Sequence, residues 1–154
     1  MTGLTEELFE QLRAAFVAEA STVVRFRYFA QIAEIEGSLE AARLFTELAE
    51  SAACVAHGHL DILQTVTDPA TDRPIDDTEL NLADAVSSEM EAATAVYPAL
   101  GREAQAEGLA DLTSWFETLT ALKQAHLVKL TAAREVLLGG APAAAVQDKS
   151  TSEG

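Results

Sequence analysis

This chain of 154 residues is predicted to be all-α, a bundle of four helices made of two repeated antiparallel hairpins with one long crossover. Three observations carry that prediction. Apolar residues recur at alternating spacings of three and four through four long segments, the period of helices with one buried face. Glycines stand at 37 and 108, where a short turn would fold each pair of segments into a hairpin. The second half also repeats the first: Glu19 and Glu89 are 70 positions apart, while Gly37 and Gly108, and Phe45 and Phe116, are 71 apart.

The first helix is expected over 5–35, with its inner stripe at 8, 12, 16, 19, 23, 26, 30 and 33. Thr5 ahead of Glu6 and Glu7 is an N-terminal cap with acidic first-turn residues. Gly37 ends the helix and Ser38 is placed to cap the next. The second helix runs to about residue 64 on a stripe at 41, 45, 48, 52, 55, 59 and 62. The stretch TVTDPATDRPIDD has two prolines, four aspartates and no period, which marks a long connection.

A third helix starts near Thr78 on a stripe at 82, 86, 89, 93, 96, 100 and 103. Pro98 removes one of its backbone bonds and predicts a kink. Gly108 closes it. The fourth helix carries 109, 112, 116, 119, 123, 126, 130, 133 and 137. Two hairpins joined by one long connection give the topology of a ferritin-like bundle. Residues 1–138 are read as that bundle. The tail from 139 to 154 has too little apolar surface to order itself and is expected to be flexible.

Composition excludes several classes of function. A net charge of −15 repels nucleic acid and anionic membranes, so the expected partners are small molecules, metals or protein chains. No long apolar run predicts a membrane span or a signal peptide, and a cytoplasmic location is expected. Cys54 is the one cysteine, which excludes a disulfide framework and a cysteine-ligated metal centre. Alanine-rich outer faces suit pairing into a homodimer.

Five polar side chains fall on the inner stripes: Glu19, His59, Glu89, Lys123 and His126. Buried charge is rare unless it is paired or bound to metal, so their convergence matters more than any one of them. The bland alternative for each carboxylate is a partly exposed residue near a helix end, yet both lie mid-helix and are related by the repeat. His59, near the end of its helix, is read as a satisfied or half-exposed histidine rather than a ligand. Cys54 and His57 lie off the stripe and are read as a solvated face. Lys123 either snorkels outward, burying only its stem, or brings a cation between two carboxylates. In the second case Lys123 and a protonated His126 balance Glu19 and Glu89 without any metal.

These residues resemble those of the rubrerythrin family, in its ferritin-like domain, over roughly residues 8–138. Glu19, Arg25, Tyr28-Phe29-Ala30 and Glu36-Gly37 match the first helix of that pattern. Ala49-Glu50 match in the second, and Tyr97-Pro98 and Glu107-Gly108 in the third. Lys123-Gln124-Ala125-His126 falls on the fourth-helix ExxH. The resemblance implies a di-iron peroxide reductase fed by a rubredoxin domain, with Glu19, Glu89 and His126 at ligand positions.

The departures put that activity in doubt. Where the pattern has ExxH on the second helix, this chain has Ala52-Ala53-Cys54-Val55. Ala92 replaces the second glutamate of the third helix, Lys123 the glutamate of the fourth, and Phe26 a tyrosine. No rubredoxin segment is seen. Two irons need several carboxylates to fill their coordination and offset their charge, and an ammonium at a bridging position reverses the local field. The expectation is therefore a degenerate di-metal site, with a Glu–Lys–His cluster in place of metals and no cofactor required. The fold then serves as a binding or structural module, with a small pocket where Ala52, Val55 and Ala92 replace larger ligands. The alternative is an oxidoreductase of peroxide or oxygen using one divalent metal (Fe, Mn or Zn) at Glu19, Glu89 and His126, with water or His59 completing the shell.

Overall fold

The structure, a computed structural model, describes residues 3–139. The expected flexible tail lies outside the described residues, apart from its first position. Among the described residues there is no strand, and the helices are α1 (Glu6–Ile35), α2 (Leu39–Leu63), α3 (Thr78–Glu91), α4 (Tyr97–Ala106) and α5 (Ala110–Leu137). A π-helical segment, Ala92–Val96, joins α3 to α4 as one interrupted helix. The chain divides into two compact units, Met1–Asp76 and Asp77–Gly154. The first is the α1–α2 hairpin, and the second pairs α3 and α4 with α5.

Each hairpin turns in the same way. Gly37 and Gly108 have φ of 78° and 75°, a left-handed backbone that only glycine adopts without steric cost. In the first turn, Ser38 N–H donates to the Ala33 carbonyl at 2.8 Å and Gly37 N–H to Glu34 at 3.0 Å. In the second, Leu109 N–H donates to Ala104 at 2.9 Å and Gly108 N–H to Gln105 at 3.1 Å. These bonds satisfy the last carbonyls of the preceding helix. Ser38 does occupy the N-cap position of α2, but its side chain makes no capping bond. Its counterpart 71 residues on is Leu109, with nearly the same backbone angles, so the turn and not the hydroxyl sets this geometry. Thr5 caps α1 as expected, its hydroxyl accepting from Leu8 N–H at 3.2 Å. Asp77 caps α3 in the same manner at 2.9 Å.

Matching aromatic contacts hold the two hairpins. Phe26 meets Phe45 with ring centroids 5.7 Å apart, and Phe29 closes the cluster at 5.5 Å from Phe45. Seventy-one residues later Tyr97 meets Phe116 at 6.3 Å. The cores are otherwise small. Ala30, Ala33, Ala49, Ala52 and Leu63 are buried in the first hairpin, and Ala93 and Ala104 in the second. On α2 Ala52 is buried as expected, but one edge of the stripe lies one residue round. Ala49, Ala56 and Leu63 are buried while Leu48, Val55 and Ile62 are exposed, because the hairpin covers the edge of α2 that faces α1.

The interruption in the second hairpin is a π-turn. Tyr97 N–H donates to the Ala92 carbonyl, five residues back. Pro98 supplies the reason: it has no N–H to donate, and its ring would strike the carbonyl four positions earlier in a regular helix. The wider turn takes up one extra residue. The expected stripe at 96, 100 and 103 therefore moves to Tyr97, Gly101 and Ala104, and the residues first assigned to it are exposed. The same residue accounts for the change in repeat distance from 70 at Glu19/Glu89 to 71 at Phe26/Tyr97.

The connection from 64 to 77 is folded rather than loose. Asp68 N–H donates to the Arg73 carbonyl at 2.8 Å, and the Asp68 carboxylate accepts from Ala70 N–H at 2.6 Å and Thr71 N–H at 3.2 Å. Asp72 stands at φ 58° and pairs with Arg13 on α1. That guanidinium also lies over the Phe9 ring, 4.9 Å from its centroid.

Candidate functional site

Glu89 lies near the end of α3, one turn before the π-segment, and α5 passes alongside it. Three side chains meet there. Lys123 donates from Nζ to Glu89 Oε1 at 2.8 Å, and His126 Nδ1 lies 2.9 Å from Glu89 Oε2. Lys123 and His126 are three residues apart on α5, so both reach the same carboxylate from one helix face. The Glu89 and Lys123 side chains are 20% and 23% exposed, and that of His126 is 41% exposed. Lys123 thus points to the carboxylate and does not snorkel away.

Partial burial is the strongest single influence on the Glu89 carboxyl and pushes it up. Hydrogen bonds from Lys123 and His126, with their charges, together outweigh it and hold the group below its ordinary value. Glu89 is therefore ionised at neutral pH. An ionised carboxylate only accepts hydrogen bonds, so Nδ1 carries the proton in this pair and Nε2 is the ring nitrogen left over. A cleft of about 320 Å³ opens beside the pair, lined by Ala85, Ser88, Glu89, His126, Lys129 and Leu130. Ala92, expected to widen such a space, is not among its walls.

The first hairpin holds the repeat-related position without the partners. Glu19 is half-buried on α1. Seventy-one residues before Lys123 and His126 stand Ala52 and Val55, so α2 supplies no cation at that level. His59 is half-exposed on α2. His57 and Cys54 are on the exposed face, His57 Nε2 lying 3.7 Å from Asp61 on the same helix.

Sequence reasoning missed Ser88 and Lys129 as cleft residues. Lys129, three positions after His126, was detectable as its neighbour on the helix face. Asp84 was missed as well: it is buried but off the expected stripe, and no periodicity points to it.

The donor set fits a pair of metals poorly. Both oxygens of Glu89 are engaged, one by an ammonium, and His126 spends Nδ1 on the same carboxylate. Among the described residues no three of His, Cys, Asp and Glu form a group able to hold a metal ion. None of the described helices is long and apolar enough to cross a membrane.

Comparison with known proteins accords with this fold. The family profile described as Rubrerythrin matches residues 10–134. Rubrerythrin-1 of Clostridium acetobutylicum is 26% identical over 125 residues, covering 76% of this chain and 64% of the relative. The chain thus spans just under two thirds of that protein's length. A match over most of the sequence, on an all-α chain of two helical hairpins, makes this chain a member of the rubrerythrin family with the ferritin-like four-helix fold class.

Proposed function

We propose that this rubrerythrin-family protein has exchanged its metals for an ion cluster and serves as a non-catalytic binding or structural module. One observation carries the reading: the carboxylate at a ligand position, Glu89, is saturated by Lys123 and His126. A divalent ion at Glu89 would have to displace an ammonium at 2.8 Å, or sit beside it against its charge. The cleft beside His126 is the place where a small molecule would be taken up. A homodimer in the cytoplasm suits the same reading, since Cys54 is exposed and unpaired, as in a reducing compartment.

Elemental analysis of protein purified after growth with iron and manganese tests this, alongside a peroxide-consumption assay. The module predicts far less than one metal per chain and no peroxide consumption. About one equivalent of metal with peroxide turnover would favour an oxidoreductase with a single metal at Glu19, Glu89 and His126, with His59 in the shell. Lys123→Glu sharpens the choice. Without metal it leaves carboxylates facing each other and destabilises the fold by roughly 2–3 kcal/mol. If metal belongs there, that variant gains metal affinity instead.

A further inference from the structure

The cleft beside Glu89 holds more chemistry than the ion cluster uses. Ala85 and Leu130 give it apolar walls, and Lys129 adds an exposed cation with no ion pair among the described residues. Glu89 is the wall carboxylate, and Lys123 and His126 already engage its two oxygens. The charge of Lys129 is therefore unanswered. Its helix has the same bias: between Glu117 and Glu135 there is no acidic residue, yet Lys123, Lys129 and Arg134 all fall there, in a chain of net charge −15. Asp84, one turn before Ser88 on α3, is buried and is not a wall of the cleft.

The other polar atoms accept rather than donate. With Nδ1 turned to Glu89, Nε2 of a neutral His126 ring carries a lone pair. Ser88 Oγ donates its one hydrogen to the Ala85 carbonyl at 3.1 Å and keeps only its lone pairs for a ligand. The fold does not demand this set of groups. By the internal repeat, Ser88, His126 and Lys129 correspond to Ala18, Val55 and Gly58 of the first hairpin, which offer neither cation nor acceptor side chain. We propose that the cleft binds a short-chain hydroxy acid, its carboxylate on Lys129 Nζ, its hydroxyl donating to His126 Nε2 or Ser88 Oγ, and its alkyl chain on Ala85 and Leu130. His126 and Lys129 are three residues apart on one helix face, which suits a hydroxyl a few bonds from the carboxylate. The cleft of about 320 Å³ has room for such a molecule, since a cavity of about 150 Å³ already holds benzene. This assignment rests on the metal-free reading of Glu89, which leaves the ring nitrogen and the cleft to the ligand.

Isothermal titration of the full chain at neutral pH, with 3-hydroxyhexanoate as the probe, tests the proposal. One molecule should bind per chain, saturably. Hexanoate, which lacks the hydroxyl, should bind about fivefold more weakly, and 3-hexanol, which lacks the carboxylate, at least about fivefold more weakly. Lys129→Gln should remove the advantage of 3-hydroxyhexanoate over 3-hexanol. Arg102→Gln, which deletes an exposed cation on α4, should leave the binding of both unchanged. Helical circular dichroism checks that each variant folds, and iron and manganese are measured in every sample. Failure of the metal-free protein to bind the probe, equal affinity for hexanoate, or indifference to Lys129→Gln would each overturn the ligand class and leave the ion cluster standing. Binding that appears only when iron or manganese is added would overturn both.

Discussion

Lys123 Nζ stands 2.8 Å from Glu89 Oε1, while His126 Nδ1 lies 2.9 Å from the other oxygen of the same carboxylate. The Lys123–Glu89 pair bridges α5 and α3, so it joins two helices rather than decorating one. Both side chains are about four-fifths covered, and the pair should matter more than one on the open surface. Lys123→Met should lower unfolding free energy by about 1–2 kcal/mol, since Glu89 would keep only His126 as partner. A double-mutant cycle with Glu89→Gln, followed by urea denaturation, measures the coupling. Additive losses would show that the contact contributes nothing beyond its separate parts.

The same carboxylate predicts a dependence on acidity. Its proton affinity is lower in the folded chain than in the unfolded one, where 4.5 is the ordinary value. The unfolded state then binds more protons, and the contribution of Glu89 is complete well above 4.5 and lost as pH falls through its folded value. The stability difference between the wild type and Glu89→Gln should therefore be constant around neutrality and shrink below the ordinary carboxylate range. A difference that grew on acidification would contradict the geometry.

The π-turn makes a prediction about deletion. One residue in Ala92–Val96 is surplus to a regular helix. Removing Ala95 together with Pro98→Ala should give an uninterrupted helix with Glu89 and Tyr97 on their present faces. Thermal stability should match or exceed that of the parent, because the proline penalty of about 3 kcal/mol is removed as well. Removing Ser21 from α1, which has no surplus residue, should instead turn Glu19 by roughly 100° relative to Phe26 and cost much of the stability. Circular dichroism melts of the two deletions separate the outcomes.

Asp72 combines a left-handed backbone at φ 58° with its pairing to Arg13. Asparagine tolerates that backbone and alanine does not. Asp72→Asn should loosen the connection less than Asp72→Ala, although both abolish the ion pair. Limited proteolysis between 64 and 77 reads this directly, with cleavage fastest in the alanine variant. Equal rates would assign the whole effect to Arg13.

By itself the sequence determined the helices, their approximate ends, the two glycine turns and the shared helix face of Lys123 and His126. These follow from periodicity, from the backbone freedom of glycine and from side chains three apart sharing a helix face, all of which are local rules. Tertiary structure decided the rest. Periodicity assumes 3.6 residues per turn, and so it misplaced Val96, Leu100 and Glu103 once Pro98 opened a π-turn. It marks which face is apolar, but which edge becomes buried depends on where the neighbouring helix lies, hence Ala49 rather than Leu48 on α2. Nor could spacing tell whether Lys123 reached inward or out to water, because the stem of a lysine allows either until a carboxylate on another helix fixes its end.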